Sequence, residues 1–375
     1  MNPQGQYPYG AQPNPYGYRQ PPPPPIRPQR DMTQPIAIAI GIVLVLFMVV
    51  GELIRHVAEH PRGHSSIVVG ATRSLGAGVV WHEVDLPGGD GTRTLWVYLP
   101  SSPATAKVPC IFIAPAGSSC LDGMPLAEGD RPEHLPYVRA GYAVVAYSLD
   151  GAFTDHTSAA SEVHAIESFR DAHAGLDNEK AAVDYAIANI PQIDPKRLYA
   201  AGHSSAGTMA LLAAENDRRF VGCIAYAPRC DVSSELDSNE REALTSRIDG
   251  FDQFLSNCSP STKATSIRCP VFLFHSDDDE RVPTDDVEGF ASKLKTADSS
   301  VTYCHVTNGG HYDSMIHDGI PQAINWLQGG MPTTADLPVT STTPVSSSGG
   351  DGTSTDSQPS DSEGGSDGGG DSSGQ

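Results

Sequence analysis

The sequence predicts an α/β domain with a mostly parallel central sheet, helices on both faces and a small lid insertion, preceded by one N-terminal transmembrane helix. Three observations predict it. Short apolar runs alternate with stretches of helical period from Val108 onward, which is the pattern of a sheet buried on both faces. A hairpin pattern comes just before them, and no internal repeat divides the segment. Upstream, twenty residues from Met32 to Gly51 carry no charge, enough helix at roughly 1.5 Å per residue to cross a ~30 Å hydrocarbon core.

In chain order, residues 1–31 hold ten prolines among Tyr, Gln and Gly and cannot bury a core, so a solvated head is expected. Residues 32–54 form the expected anchor; Ile36 to Val50 is apolar apart from Gly41 and lacks the polar stripe of a soluble helix. No small-x-small cleavage site follows at Gly51 to Arg55, so the segment is expected to stay as a signal anchor. Arg19, Arg27 and Arg30 before the span outnumber Arg55 and Arg62 after it, which orients the following domain outside the cytoplasm.

Residues 65–330 are a single domain's worth of chain. Val79–Leu86 and Thr92–Leu99 flank the turn Pro87-Gly88-Gly89-Asp90-Gly91 and read as an antiparallel hairpin at one edge of the sheet. Strands are expected at Val108–Ala114, Tyr142–Tyr147, Arg197–Ala201, Gly222–Ala227, Pro270–His275 and Val301–Val306. Leu176, Val183, Ala186, Ile187 and Ile190 mark one helical face, and Met209, Leu212 and Ala213 another. Asp231 to Arg268, with a polar helical stretch at Ser238–Ser256, is expected to cover the strand ends, and Phe153 to Gly175 to form a second wall. Residues 331–375 are Ser, Gly, Thr and Asp with seven acidic and no basic side chains, a self-repelling tail. That tail accounts for a third of the net charge of −21, and 45 acidic against 24 basic residues exclude a binder of nucleic acid built on a basic stripe.

The sharpest chemical signal is Gly202-His203-Ser204-Ser205-Ala206-Gly207, set between a predicted strand and a small-residue helix. A nucleophile elbow brings together the residues two before and two after the nucleophile, so both must be small. Gly202 and Ala206 satisfy this for Ser204, whereas His203 would clash if Ser205 were the nucleophile. A serine hydroxyl needs an imidazole to take its proton and a carboxylate to hold the imidazole's tautomer. Later strand ends supply both, in His275-Ser276-Asp277-Asp278-Asp279 and in Asn308-Gly309-Gly310-His311, although the residues alone leave three aspartates open.

With GHSSAG around Ser204, HSDDDERVP around Asp279 and NGGH at His311, the segment from about Val108 to Gln328 resembles the α/β-hydrolase superfamily, and within it the catalytic domain of prolyl oligopeptidases and the dienelactone-hydrolase-like esterases. The resemblance implies a triad of Ser204, Asp279 and His311, the acid being placed by its distance from His275 and Pro283. The oxyanion donors are expected to be the backbone N–H groups of Ser205 and Ala116, with Gly117 as the fallback, because Pro115 has none to give. Ser205 stands where the peptidases carry an aromatic residue, so a small-molecule carboxylic ester is the expected substrate. A short peptide is the alternative, and a non-catalytic binding module on the same fold is the second.

No cofactor or metal is expected. His156, His164 and His173 lie nearly on one helix face but lack the i, i+4 pairing of a metal site, and no C-x-x-C pattern exists among the seven cysteines. Cys230 and Cys258, at opposite ends of the insertion, are the candidate disulfide if the domain is extracytoplasmic. His203 and His275 read as packing residues of the two loops, and Asp194-Pro195 as a turn.

Overall fold

A computed structural model describes residues 66–331 apart from 90, 102–105, 154–157 and 298. The expected head, anchor and tail therefore lie outside the described residues, and among the described residues no helix is long and apolar enough to cross a membrane. Ten strands form one sheet: β1 Val68–Val69, β2 Arg73–Gly76, β3 Val79–Pro87, β4 Thr92–Pro100, β5 Val108–Ile113, β6 Ala143–Tyr147, β7 Ile193–His203, β8 Phe220–Tyr226, β9 Val271–Ser276 and β10 Val301–Val306. Their order is β1-β3-β4-β6-β5-β7-β8-β9-β10, with β2 beside β3. From β6 to β10 every pairing is parallel, while β3 and β4 pair antiparallel and β4 joins β6 antiparallel. The hairpin thus edges the sheet as its sequence requires, and β1 and β2 are additions too short to show a period.

Alternate side chains of each central strand feed two separate cores, as the two-residue period of a strand demands. Cys110 and Phe112 of β5, Val145 of β6 and Ala200 of β7 face one core; Ile111, Ile113, Val144 and Ala201 face the other. The first is covered by α2 Ala159–Asp171, α3 Leu176–Asn189, α4 Ser205–Asn216 and α7 Thr284–Thr296, together with the insertion helices α5 Ser238–Thr245 and α6 Phe251–Asn257. The second is covered by α1 Arg131–Arg139 and α8 Ile320–Gln328, with Tyr137, Val138, Ile320 and Trp326 turned inward.

Three sequence expectations change here. Ile187 is exposed, because α3 turns Ala182, Val183 and Ala186 to the sheet and Ile187 lies beside that stripe. Asp194 and Pro195 fall within β7 as a bulge: Ile193 pairs with Val108 and Leu198 with Cys110, so the residues between loop out, held by the Lys196 N–H donating to Asp194 at 3.0 Å. Cys230 and Cys258 are both buried with free thiols and form no disulfide. The Cys230 thiol turns back onto the Pro228 carbonyl at 3.6 Å, and burial pushes both thiols well above the ordinary cysteine value.

One ion pair ties the hairpin to the helical layer. Arg93 on β4 donates to both oxygens of Asp150, which also accepts from the Asn178 amide at 2.8 Å, and Arg93 reaches the Asp177 carbonyl at 3.2 Å. Both partners are largely withdrawn from water, with side chains 14% and 5% exposed. Removing one charge strands the other. Asp150→Ala should therefore cost about 3–5 kcal/mol of stability, and adding Arg93→Met should restore part of it. Urea unfolding of the full chain, followed by tryptophan fluorescence, checks this; a loss under ~1 kcal/mol would place the pair among weak surface bridges.

Candidate active site

Ser204 sits between the end of β7 and the first turn of α4 with φ 56° and ψ −125°, a conformation that L-residues avoid. The close approach predicted from the sequence is present: a side chain on Gly202 would run into the carbonyl oxygen and Cβ of Ala206. Three bonds pin the turn. The Ser204 N–H donates to the Tyr226 carbonyl at 2.8 Å, and the Thr208 N–H and hydroxyl donate to the Ser204 carbonyl at 3.0 and 3.3 Å.

The loops after β9 and β10 divide their three aspartates cleanly. Asp279 Oδ2 accepts from His311 Nδ1 at 2.8 Å, while its Oδ1 accepts the N–H groups of Arg281 and Val282 at 2.8 and 3.0 Å. Burial alone would raise this carboxyl, but the bonds from His311, Val282 and Arg281 outweigh it and hold the group at about 2. Asp278 accepts from the Ser276 hydroxyl and from the N–H groups of Gly309 and Gly310, which lowers its pKa and clamps the loop that carries His311. Asp277 instead meets His305 at 2.9 Å on the surface.

With Nδ1 donating to Asp279, the neutral His311 ring leaves Nε2 as a lone pair. Ser204 and His311 line one cavity of about 590 Å³, though their side chains are not hydrogen-bonded to each other. That is common before substrate binds. The two flanking histidines hold backbone. His203 Nε2 donates to the His311 carbonyl at 2.8 Å, and His275 Nε2 to the Val282 carbonyl at 3.0 Å. Burial, reinforced by neighbouring His311, pushes His203 down to about 4, so it stays neutral.

The Ser205 N–H, in the first turn of α4, and the Ala116 N–H, on the loop after β5, meet no acceptor among the described residues. Gly117 is different: its N–H and that of Ser118 donate to the Ser205 hydroxyl at 2.9 and 3.2 Å. The fallback donor is therefore already engaged. The sequence gives no hint that Ser205 uses its side chain to fasten the two loops together. Glu133 of α1 also lines the cavity, and only the fold brings it there. A second cavity of about 470 Å³ adjoins the first through Gly117, Ser118 and Ser119 and is walled by Met124, Phe153, Ile166, Leu236 and Leu244.

The three spaced histidines do not share a helix. His164 lies on α2, His173 follows it in a left-handed turn with φ 55° beside Asp177, and His156 is outside the described residues. No group of three or more His, Cys, Asp or Glu side chains among the described residues is placed to hold a metal ion.

A parallel sheet with an antiparallel edge, a strained serine at a strand–helix turn, and a histidine bonded to a carboxylate two strands further on define an α/β-hydrolase. The chain belongs to the prolyl oligopeptidase family, whose sequence profile matches residues 136–328. Among solved structures it is similar to a Mycobacterium tuberculosis puromycin-hydrolyzing peptidase, at 18% identity and TM-score 0.55, covering 69% of this chain and 40% of that one. It is also similar to an acetyl xylan esterase from Paenibacillus sp. R4, at 17% identity and TM-score 0.52, covering 70% and 88%. An S-formylglutathione hydrolase from Agrobacterium tumefaciens matches at 17% identity and TM-score 0.51, covering 70% and 98%. The chain thus spans about two fifths of the peptidase's length. A comparison with curated proteins finds no match.

Asp279 also links the site to acid stability. Its folded pKa of about 2 lies below the ordinary carboxylate value, so its contribution is complete above that value and is lost as pH falls toward 2. The stability advantage of the wild-type chain over Asp279→Asn should shrink between about pH 5 and pH 2. Chemical unfolding at several pH values measures it, and a constant difference over that window would contradict the assignment.

Proposed function

We propose that the chain is a membrane-anchored serine hydrolase that cleaves carboxylic esters through an acyl-enzyme on Ser204. The observation that carries the reading is the 2.8 Å contact of His311 with buried Asp279 in a cavity shared with strained Ser204. As Ser204 Oγ attacks the acyl carbon, His311 Nε2 takes its proton, and Asp279 stays ionised and steadies the imidazolium. The developing oxyanion faces the N–H groups of Ser205 and Ala116. Collapse of the tetrahedral intermediate expels the alcohol, protonated by His311, and water then repeats the sequence on the acyl-enzyme.

Two features support an ester over a peptide. Ser205 replaces the aromatic residue of the peptidases and spends its hydroxyl on the Gly117 loop, and the adjoining cavity offers apolar Met124, Phe153 and Ile166 to an acyl chain. The family match itself favours the second reading, a peptidase acting on short peptides. The insertion serves as the lid in either case: Glu235 lines the first cavity, and Leu236 and Leu244 wall the second. The uncharged run Met32 to Gly51 supports the anchor, and the arginine bias around it supports an extracytoplasmic domain between two solvated ends, 1–31 and 331–375.

A fluorophosphonate probe should label Ser204 and spare Ser205. Ser204→Ala should lower kcat by roughly 10⁴ to 10⁶, and Asp279→Asn by about 10⁴, whereas Asp277→Asn should cost less than about tenfold. Labelling that survives Ser204→Ala at the wild-type rate would sink the assignment. A panel of nitrophenyl esters and aminoacyl anilides, given to the full chain, decides between the two substrate classes.

The anchor makes its own prediction. Full-length protein should remain in the membrane fraction after carbonate washing, and protease added to intact cells should reach the domain. Release by the wash would remove the anchor, and protection until lysis would reverse the orientation.

A further inference from the structure

Among the ionisable groups in the cavity of Ser204 and His311 that acyl-transfer chemistry does not use, Glu133 combines burial with the lack of a bonding partner. Glu133, in the first turn of α1, is 8% exposed, lines that cavity, and makes no hydrogen bond among the described residues. His203 Nδ1 stands 3.9 Å from its Oε1, beyond hydrogen-bonding distance. A buried carboxyl without a partner is costly.

Two nearby arginines are engaged elsewhere, while a third, Arg281, lines the same cavity. Arg131 lies over the rings of Trp81 and Trp96, at 4.4 and 5.2 Å from their centroids, and pairs with Glu128. Arg229 pairs with Glu235 and donates to the Arg281 carbonyl at 2.8 Å. A second carboxylate, Asp130, lines the same cavity and, among the described residues, is bonded only to the Ala127 N–H at 2.9 Å. Beside them the half-exposed ring of Tyr312 offers an aromatic face, 5.7 Å from the His203 ring.

We propose that Glu133, with Asp130 and Tyr312, forms a subsite for an ammonium group carried by the substrate close to its scissile carbonyl. The assignment rests on the hydrolase reading above and narrows it to amine-bearing esters or amides. A carboxylate and an aromatic face are the two groups that recognise such a cation when it is drawn out of water. Burial, followed by the charge of Asp130, pushes Glu133 up to about 8, the mark of a carboxyl that lacks its counter-charge. A bound cation restores the ionised form.

The ammonium could enter on the acyl or the alcohol side, and two pairs of esters separate these. Nitrophenyl L-alaninate is compared with nitrophenyl propionate, and propionylcholine with 3,3-dimethylbutyl propionate, using the full chain. Each kcat/KM is divided by the ester's rate with hydroxide. In at least one pair the wild-type chain should favour the cationic member by about tenfold or more, and Glu133→Gln should bring that ratio to within about threefold of unity. The wild-type ratios need no variant, so a misfolded Glu133→Gln chain does not spoil the test. No preference in either pair, or a preference that survives Glu133→Gln, overturns the subsite while leaving the hydrolase intact. Failure to hydrolyse any of the four esters overturns both.

Discussion

Everything at the site depends on holding one serine in a backbone conformation it would not choose. Such strain costs on the order of 1–3 kcal/mol and persists only where the surroundings over-determine it. Here β7 enters from one side and α4 leaves on the other, and both are buried in the central layer. The Tyr226 carbonyl takes the Ser204 N–H, and the Tyr226 hydroxyl is itself bonded to Tyr137 of α1. The elbow is thereby tied to the helix that carries Glu133, so a shift in α1 would be felt at the nucleophile.

The polar groups around the elbow act mainly by fixing backbone. Asp278 holds Gly309 and Gly310, His203 holds the His311 carbonyl, His275 holds Val282, and the Ser205 hydroxyl holds Gly117 and Ser118. Asp278, His203 and Ser205 each reach a loop that follows another strand, while His275 ties down the loop that follows its own. Preorganised dipoles act on developing charge only when they do not have to reorient during the reaction. Anchoring the loops to one another supplies that rigidity without a disulfide or a metal among the described residues.

Much of the fold was legible because parallel strands advertise themselves as apolar runs, and the hairpin by its glycine turn. What escaped was short or non-periodic. β1 has two residues and β2 four, and the β7 bulge imitates a turn because it is one inserted into a strand. On α3, Ile187 is exposed although apolar, because apolar residues occur on both sides of the buried stripe. At the site, the small residues at Gly202 and Ala206 pointed to Ser204, since steric need leaves a trace in sequence. The three adjacent aspartates could not be separated by residue type alone, because their roles depend on which of them turns toward which loop. The Ser205 bridge and Glu133 left no local signal, as both depend on neighbours distant in the chain: Gly117 is 88 residues from Ser205.

The seven thiols have a consequence for how the chain matures. A cysteine reacts as its thiolate, and burial pushes every one of these thiols up, Cys120 to about 12 and Cys269 to about 11. None is poised for exchange at neutral pH. Among the described residues the fold is complete with every cysteine as a free thiol, so its geometry calls for no disulfide. A fold held in this way rests on packing and buried polar bonds, with no covalent cross-link among the described residues.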